Sequence, residues 1–283
     1  MLYLVAYSEI GLKGRNRQSF VRRLVRNLSE VCRSVDPFGS RFLCEADEPP
    51  LIFGIAYVAP VDLSFTFRDL KDVVDRVSSY YHPKGTFRIT ARREGNHPFS
   101  SMDVQREVGA KIDAPVDLHH PSLNIHVDIV GNRCVTYTET LRAPGGLPLG
   151  TSSPLLTLFS GGLDSPVASW MMMKRGCPQD YLFIDLVGPG YEHQVYEVYH
   201  TLTTNWSVGF QSILFTMDGR PLVDAIRMKV RGSYRQLVLK ASMYRLASML
   251  AESRRLKGLV TVSYTHLRAH ETRHDLVCRL LLE

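Results

Sequence analysis

The stretch 155–165, reading LLTLFSGGLDS, constrains the fold more than any other part of the chain. An apolar run from Leu155 to Phe159 stops abruptly at Ser160-Gly161-Gly162, and Asp164-Ser165-Pro166 then opens a run of helical character that reaches Lys174. Proline suits a first helical turn, where its missing N–H is not needed. The reading is strand, tight glycine-rich loop, helix, with the loop at the carboxyl end of the strand, where open α/β sheets bind their ligands. Two glycines let consecutive backbone N–H groups close on an anion, and the helix adds the positive end of its dipole. The hydroxyls of Ser160 and Ser165 add donors, which makes the loop a phosphate-binding candidate. Asp164 would repel phosphate unless a cation sat between them, and this points to Mg2+. The Walker A pattern G-x-x-x-x-G-K-[ST] is absent. The plain alternative is an ordinary Gly-Gly turn before a core helix.

A chain of 283 residues exceeds one typical domain, so two or three are expected. With 45% hydrophobic and 22% charged residues it reads as a soluble globular chain. No apolar run reaches the roughly 18 residues of a membrane helix, and the opening MLYLV is too short and uncharged for a signal peptide. Cys32, Cys44, Cys134, Cys177 and Cys278 are scattered without a C-x-x-C pair, which favours reduced thiols over disulfides or a local zinc site. A cytoplasmic location is expected. The net charge of +6 permits a polyanionic partner without requiring one.

In chain order, a strand is expected at Leu2–Tyr7, a glycine-containing loop at 8–16, and a helix from Arg17 to Val35 with Phe20, Leu24, Leu28, Val31 and Val35 on one face. Lys13, Arg15 and the helix arginines form a basic cluster that is either a solvated face or a phosphate-binding one. A second strand is expected at 51–58. Further expectations are a helix at 69–81, a strand at 86–91, and a basic turn holding Arg92 and Arg93. A helix at 101–114 follows, with Ser100 and Asp103 at capping-box spacing. Two strands, 124–130 and 133–139, join through Gly131-Asn132, a hairpin signal. His97, His119, His120 and His126 lack metal-ligand spacing. Residues 143–154 are dense in Gly, Pro and Ser and read as a linker. After the loop helix, strands near 181–186, 212–216 and 258–262 alternate with helices near 193–205, 221–229 and 236–255, the pattern of a parallel, doubly wound sheet. Met171–Met173 are expected to pack as core.

SGGLDS resembles the pyrophosphate loop (PP-loop) of ATP pyrophosphatases, which cleave ATP between its α and β phosphates. YSEIGLKGRNRQSF resembles the N-terminal ferredoxin-like segment of tRNA 4-thiouridine synthetases. FRITARREGNHPFSSMDVQREVGAKI with SLNIHVDIVGNRCVTYTE resembles the THUMP domain, an RNA-binding module. RAPGGLPLGT and YRQLVLKASMYRLASMLAESRRLKGLVT resemble the third domain of the same synthetases, so the likeness covers residues 1–262 in the family's order.

The resemblance implies an α+β fold of ferredoxin-like and THUMP modules followed by an incomplete α/β parallel-sheet PP-loop domain. The implied boundaries are 1–60, 61–142, a linker at 143–154, and 155–262. It implies that ATP adenylates uracil O4 of the uridine at position 8 in tRNA, and that a persulfide from a cysteine desulfurase then brings sulfur. Some members also serve thiamine thiazole synthesis. A homodimer is compatible, and no membrane is implied. Carried over by motif, Ser160, Gly161, Gly162, Asp164 and Ser165 would hold pyrophosphate and Mg2+. Leu158, Phe159, Phe183 and Ile184 would flank the nucleotide. Lys240 either reaches phosphate or is a solvated helix lysine. The RNA-binding candidates are Lys13, Arg15, Arg92 and Arg93.

From Val262 the sequence departs from the family, and residues 263–283 resemble a translated sequencing adapter. They are expected to be non-native, with His266 and His270 a chance H-x-x-x-H pair, and the chain is expected to be incomplete for catalysis. Neither Cys177 nor Cys278 fits the persulfide role. Two alternatives remain: a THUMP-type RNA-binding protein with a non-productive nucleotide site, and a different PP-loop ligase.

Overall fold

The computed structural model describes residues 1–12, 14–188 and 190–262, without the side chains of Leu12 and Arg15. The adapter-like stretch 263–283, with Cys278, lies outside the described residues. In chain order the strands are β1 (Leu2–Tyr7), β2 (Ser34–Phe38), β3 (Arg41–Glu45), β4 (Ile55–Pro60), β5 (Leu63–Thr66), β6 (Phe87–Glu94), β7 (Leu123–Val130), β8 (Arg133–Tyr137), β9 (Leu141–Arg142), β10 (Leu155–Leu158), β11 (Gln179–Asp185), β12 (Leu214–Asp218) and β13 (Leu259–Val260). The α-helices are α1 (Arg17–Ser29), α2 (Leu70–Tyr80), α3 (Ser101–Lys111), α4 (Asp164–Lys174), α5 (Tyr191–Trp206), α6 (Arg220–Lys229) and α7 (Arg235–Ser253). Contacts divide the chain into two units. One comprises Met1–Tyr7, Val31–Leu51 and Ile55–Ala143; the other comprises Ser8–Glu30, Ile52–Gly54 and everything from Pro144 on.

The first unit holds two sheets. An antiparallel one runs β2-β3-β1-β4-β9, and a mixed one runs β5-β8-β7-β6 with β6 and β7 parallel. Strict alternation on β7 sends Ile125, Val127 and Ile129 into a core with Val73, Val77, Val104 and Val108 of α2 and α3. Both helices start on side-chain caps: Asp69 accepts from the Asp72 N–H at 2.9 Å, and Ser100 forms the expected capping box with Asp103. On the other face of β7, Asp128 makes a buried ion pair with Arg41, which also donates to the Tyr137 hydroxyl at 3.3 Å.

The first helix is shorter than its apolar spacing predicts. It ends at Ser29, Val31 is exposed, and Val35 lies in β2. Pro37 cannot continue a helix and disfavours α geometry in Asp36 before it, which suits β2, but it lies too far past Ser29 to end the helix there. It is tolerated where it falls, on an edge strand. Gly39, at φ +59, then turns the chain into β3, a strand that the spacing alone does not reveal. The expected strand from Leu51 begins instead at Ile55, because 52–54 belongs to the other unit.

The second unit is a parallel sheet ordered β12-β11-β10-β13. One face packs Phe159, Tyr181 and Phe183 against Met173 of α4 and Val195 and Leu202 of α5. The other packs Leu156, Leu182 and Ile184 against Ala247 and Ala251 of α7. Helices therefore cover both faces, the doubly wound arrangement expected. Of the three methionines in α4, Met173 is core and Met172 packs partly buried beside Leu155 and Val260, whereas Met171 is 45% exposed, since consecutive helical residues point about 100° apart.

The stretch 143–154 is packed. Leu149 is 2% exposed, the Leu147 N–H bonds to the Lys174 carbonyl at 2.9 Å, and Asn27 of α1 donates to the Leu149 carbonyl at 3.0 Å. Its glycines serve tight passage: Gly146 has φ +74, and a Cβ there would stand 2.2 Å from the Lys174 carbonyl oxygen. Phe53 packs on Trp170 and Trp206, with ring centroids 5.5 and 5.1 Å away.

Candidate functional site

The order of the parallel sheet reverses beside β10, with β11 and β12 on one side and β13 on the other. At such a point the connections leave in opposite directions and open a crevice at the carboxyl ends of the strands. A pocket of about 440 Å³ lies there, a size typical of small-ligand sites. It is lined by Leu158, Phe159, Ser160, Gly162, Asp164, Ser165, Phe183, Ile184 and Lys240. Sequence reasoning about two strand ends, one loop and one distant helix thus names residues that the fold brings together. Gly161 is the exception. It is buried under the loop, and a Cβ there would meet the Tyr191 hydroxyl at 3.1 Å.

The loop is closed from within. Ser165 is 5% exposed, and its hydroxyl accepts from the Ser160 N–H at 2.9 Å while lying 3.3 Å from the Ser160 carbonyl, to which it donates. Its hydroxyl shapes the loop rather than pointing outward as a free donor. Asp164 is exposed in the first turn of α4, where the helix N–H groups lack intrahelical partners. Phe159 and Phe183 are 4% and 5% exposed, so they form apolar wall rather than offering polar contacts.

Sequence reasoning missed Asp185, Tyr191, Met243 and Tyr244, which also line the pocket. Asp185 ends β11, is 6% exposed, and accepts from the N–H groups of Val187 and Gly188 at 3.0 and 2.9 Å. It therefore sets the turn that forms one lip of the crevice. An aspartate followed two and three residues on by turn residues is the local signal that could have shown it. Tyr191 opens α5, with its ring centroid 6.2 Å from that of Phe183. Among the described residues no group of three or more His, Cys, Asp or Glu could hold a metal ion. An exposed carboxylate such as Asp164 beside the loop still fits Mg2+, which takes one or two protein carboxylates and completes its shell with phosphate and water.

Of the basic candidates, only Arg92 and Arg93 have described side chains. Lys13 lies outside the described residues, and the side chain of Arg15 is not described. Arg92 and Arg93 are consecutive in β6, so they project from opposite faces. Arg92 pairs with Glu94 at 3.0 Å and donates to the Ser40 hydroxyl at 2.9 Å. Burial alone would raise the Glu94 carboxyl, but hydrogen bonds from the Ser40 hydroxyl and N–H, with the Arg92 charge, hold it below the ordinary glutamate range. Arg93 donates to the Gly95 carbonyl at 2.8 Å and lies 3.1 Å from Nδ1 of His97, whose Nε2 is 2.6 Å from the Gly131 carbonyl. His97 thus has a turn-joining role. Burial foremost, with Arg88 and Arg41, lowers the pKa of His126.

Comparison with known proteins gives a consistent picture. Residues 150–266 match the family described as Thiamine biosynthesis protein (ThiI), residues 65–139 the THUMP domain, and residues 2–42 the ThiI ferredoxin-like domain. The tRNA sulfurtransferase of Thermoplasma volcanium is 37% identical to this chain, over 92% of it and 58% of that protein. The protein named Probable tRNA sulfurtransferase in Sulfurisphaera tokodaii is 34% identical, over 86% of this chain and 69% of that protein. The crystal structure of a 4-thiouridine synthetase–RNA complex with bound ATP is similar at a TM-score of 0.78 and 27% identity, over 92% of this chain and 72% of that one. The chain spans 57% to 61% of the length of three tRNA sulfurtransferases that it matches. No described helix is long and apolar enough to cross a membrane.

Proposed function

Since the chain belongs to the tRNA sulfurtransferase family, we propose that its crevice binds ATP with Mg2+ and serves the 4-thiolation of uridine 8 in tRNA. The observation that carries this reading is the pocket of about 440 Å³ at the strand-order reversal, floored by the Ser160–Ser165 loop and the start of α4. When bound, ATP supplies the adenylyl group that turns uracil O4 into a leaving group. The loop N–H groups and the α4 N-terminus hold the phosphates. Asp164 holds Mg2+ against them, and Lys240 adds positive charge from α7. Phe159, Phe183 and Tyr191 exclude water from the nucleotide side, which strengthens each of these interactions.

On this reading sulfur arrives in the cytoplasm as a persulfide from a cysteine desulfurase; its outer sulfur bonds to C4 as AMP leaves, and a further thiol cleaves the resulting disulfide so that sulfur stays in place of the oxygen. Cys44, Cys134 and Cys177 are buried, and burial pushes the Cys134 thiol up to about 12. None of these three suits a thiolate role. Residues 1–142 hold the tRNA, with Lys13, Arg15, Arg92 and Arg93 contacting phosphate, and 143–154 lead on to 155–262. A homodimer is compatible with this scheme.

The experiment is tRNA-dependent release of pyrophosphate from ATP–Mg2+ by the chain and by Asp164→Ala. The variant is expected to lose release by about a hundredfold or more while binding tRNA as before. Retained release would remove the metal role from Asp164, and failure of the unaltered chain to bind ATP–Mg2+ would remove the ATP reading.

A further inference from the structure

The glycine loop is held from outside as well as from within. Gln194 of α5 donates from Nε2 to the Gly161 carbonyl at 3.0 Å. On the same helix Tyr191 lies against the loop, so that a Cβ on Gly161 would stand 3.1 Å from its hydroxyl and 3.3 Å from Gln194 Cγ. The Gly161 carbonyl and the Gly162 N–H belong to one planar trans peptide and point in opposite directions. Fixing the carbonyl toward Gln194 therefore fixes the N–H away from it.

That N–H is one that an anion can use. The Ser160 N–H is already taken by the Ser165 hydroxyl. The Gly162 N–H makes no backbone hydrogen bond among the described residues, and Gly162 is exposed and lines the pocket. Around Gly162 there is room: the nearest atom to an added Cβ would be the Ser160 hydroxyl at 3.6 Å. A peptide between two glycines has little intrinsic preference for either orientation, because neither residue carries a Cβ to oppose its rotation. The orientation has to come from a neighbour.

We propose that Gln194 is a positioning residue for phosphate binding, its amide locking the Gly161–Gly162 peptide so that the Gly162 N–H is presented to the triphosphate. The proposal rests on the ATP reading above. It assigns to α5 a part in ligand binding that the loop sequence does not contain.

The test measures ATP–Mg2+ affinity, tRNA affinity and melting temperature for the 283-residue chain and for two variants. Gln194→Ala is expected to weaken ATP binding about tenfold with tRNA affinity and melting temperature unchanged. Gln194→Glu is expected to be weaker still at pH 8, because an ionised carboxylate cannot donate to a carbonyl. Its deficit relative to the unaltered chain should shrink as the pH falls toward 5, where the protonated carboxyl donates again. A purely steric role for residue 194 would give no such pH dependence. An unaltered chain that binds ATP beside an equally competent Gln194→Ala would overturn the positioning role alone. So would a Gln194→Glu deficit independent of pH, or a Gln194→Ala loss shared by tRNA affinity and melting temperature. An unaltered chain that binds no ATP would overturn the ATP reading and this proposal with it.

Discussion

The two units treat polar side chains in opposite ways. In the antiparallel unit they are spent on one another. Arg41 and Asp128 are sealed at 11% and 5% side-chain exposure, Glu94 is held by Ser40 and Arg92, and the Tyr81 hydroxyl bonds to both Asp62 and Thr136 at 2.8 Å. In the parallel unit the polar groups of the loop are oriented and then exposed at the mouth of a pocket. Charge in a sequence is therefore poor evidence of a binding surface unless its intramolecular partners are known. A glycine loop is better evidence, because the backbone groups that bind have no side chain to divert them.

The largest expected effect tests the sealed half of this contrast. Asp128→Ala would leave the Arg41 guanidinium buried without its charge partner, and should cost about 3–5 kcal/mol. Denaturant unfolding followed by a probe in the antiparallel unit measures it; a loss under 1 kcal/mol would mean that the pair is solvated. Next come two glycines that sequence alone does not separate. Gly161→Ala should cost about 1–3 kcal/mol, because its Cβ is crowded by Tyr191 and Gln194. Gly162→Ala should leave the melting temperature nearly unchanged while weakening ATP binding, since the added methyl meets only the ligand's side. Equal effects of the two on stability would blur the distinction between a packed and a presented glycine.

A pH measurement sharpens the comparison further. The Glu94 pKa is depressed in the folded chain, so its stabilisation is complete above the ordinary glutamate value and fades as the pH falls through the folded one. The stability gap between the unaltered chain and Glu94→Gln should be present at pH 6 and shrink as the pH falls below the ordinary glutamate range. A gap that widened in acid would contradict the hydrogen-bonded carboxylate. The smallest effect is that of Arg92→Ala. Its half-exposed ion pair is worth at most about 1 kcal/mol. If Arg92 also meets a tRNA phosphate, the log–log salt slope of binding should fall by about one unit; an unchanged slope would leave it wholly to Glu94 and Ser40.

Much of this is legible in the sequence where local rules decide the outcome. The strand, loop and helix at 155–174, the capping box at Ser100 and the hairpin at Gly131 all follow from short-range chemistry. Two kinds of feature escape it. Val31 and Val35 continue the spacing of α1, yet the helix ends at Ser29 and Val35 pairs with Cys44 across β2 and β3, a long-range partner that the spacing does not show. The pocket residues Asp185 and Tyr191, and Gln194 against the glycine loop, carry no motif. They matter because β11 and α5 bring them beside a loop some 25 residues earlier in the sequence, and packing of that range has no local signature.

The assignment of α1 to the second unit has a consequence for how the protein is cut and inherited. The backbone passes between the units after Tyr7, Glu30, Leu51, Gly54 and Ala143. A protease nick at Ala143 would not release a free N-terminal piece, because Asn27 and Phe53 would still grip Leu149, Trp170 and Trp206 on the far side of the cut. A gene segment ending at residue 142 would encode one unit plus a helix whose partner is missing. The two units are thus interleaved in the chain, and duplication or shuffling at a single point in the gene would carry neither away whole.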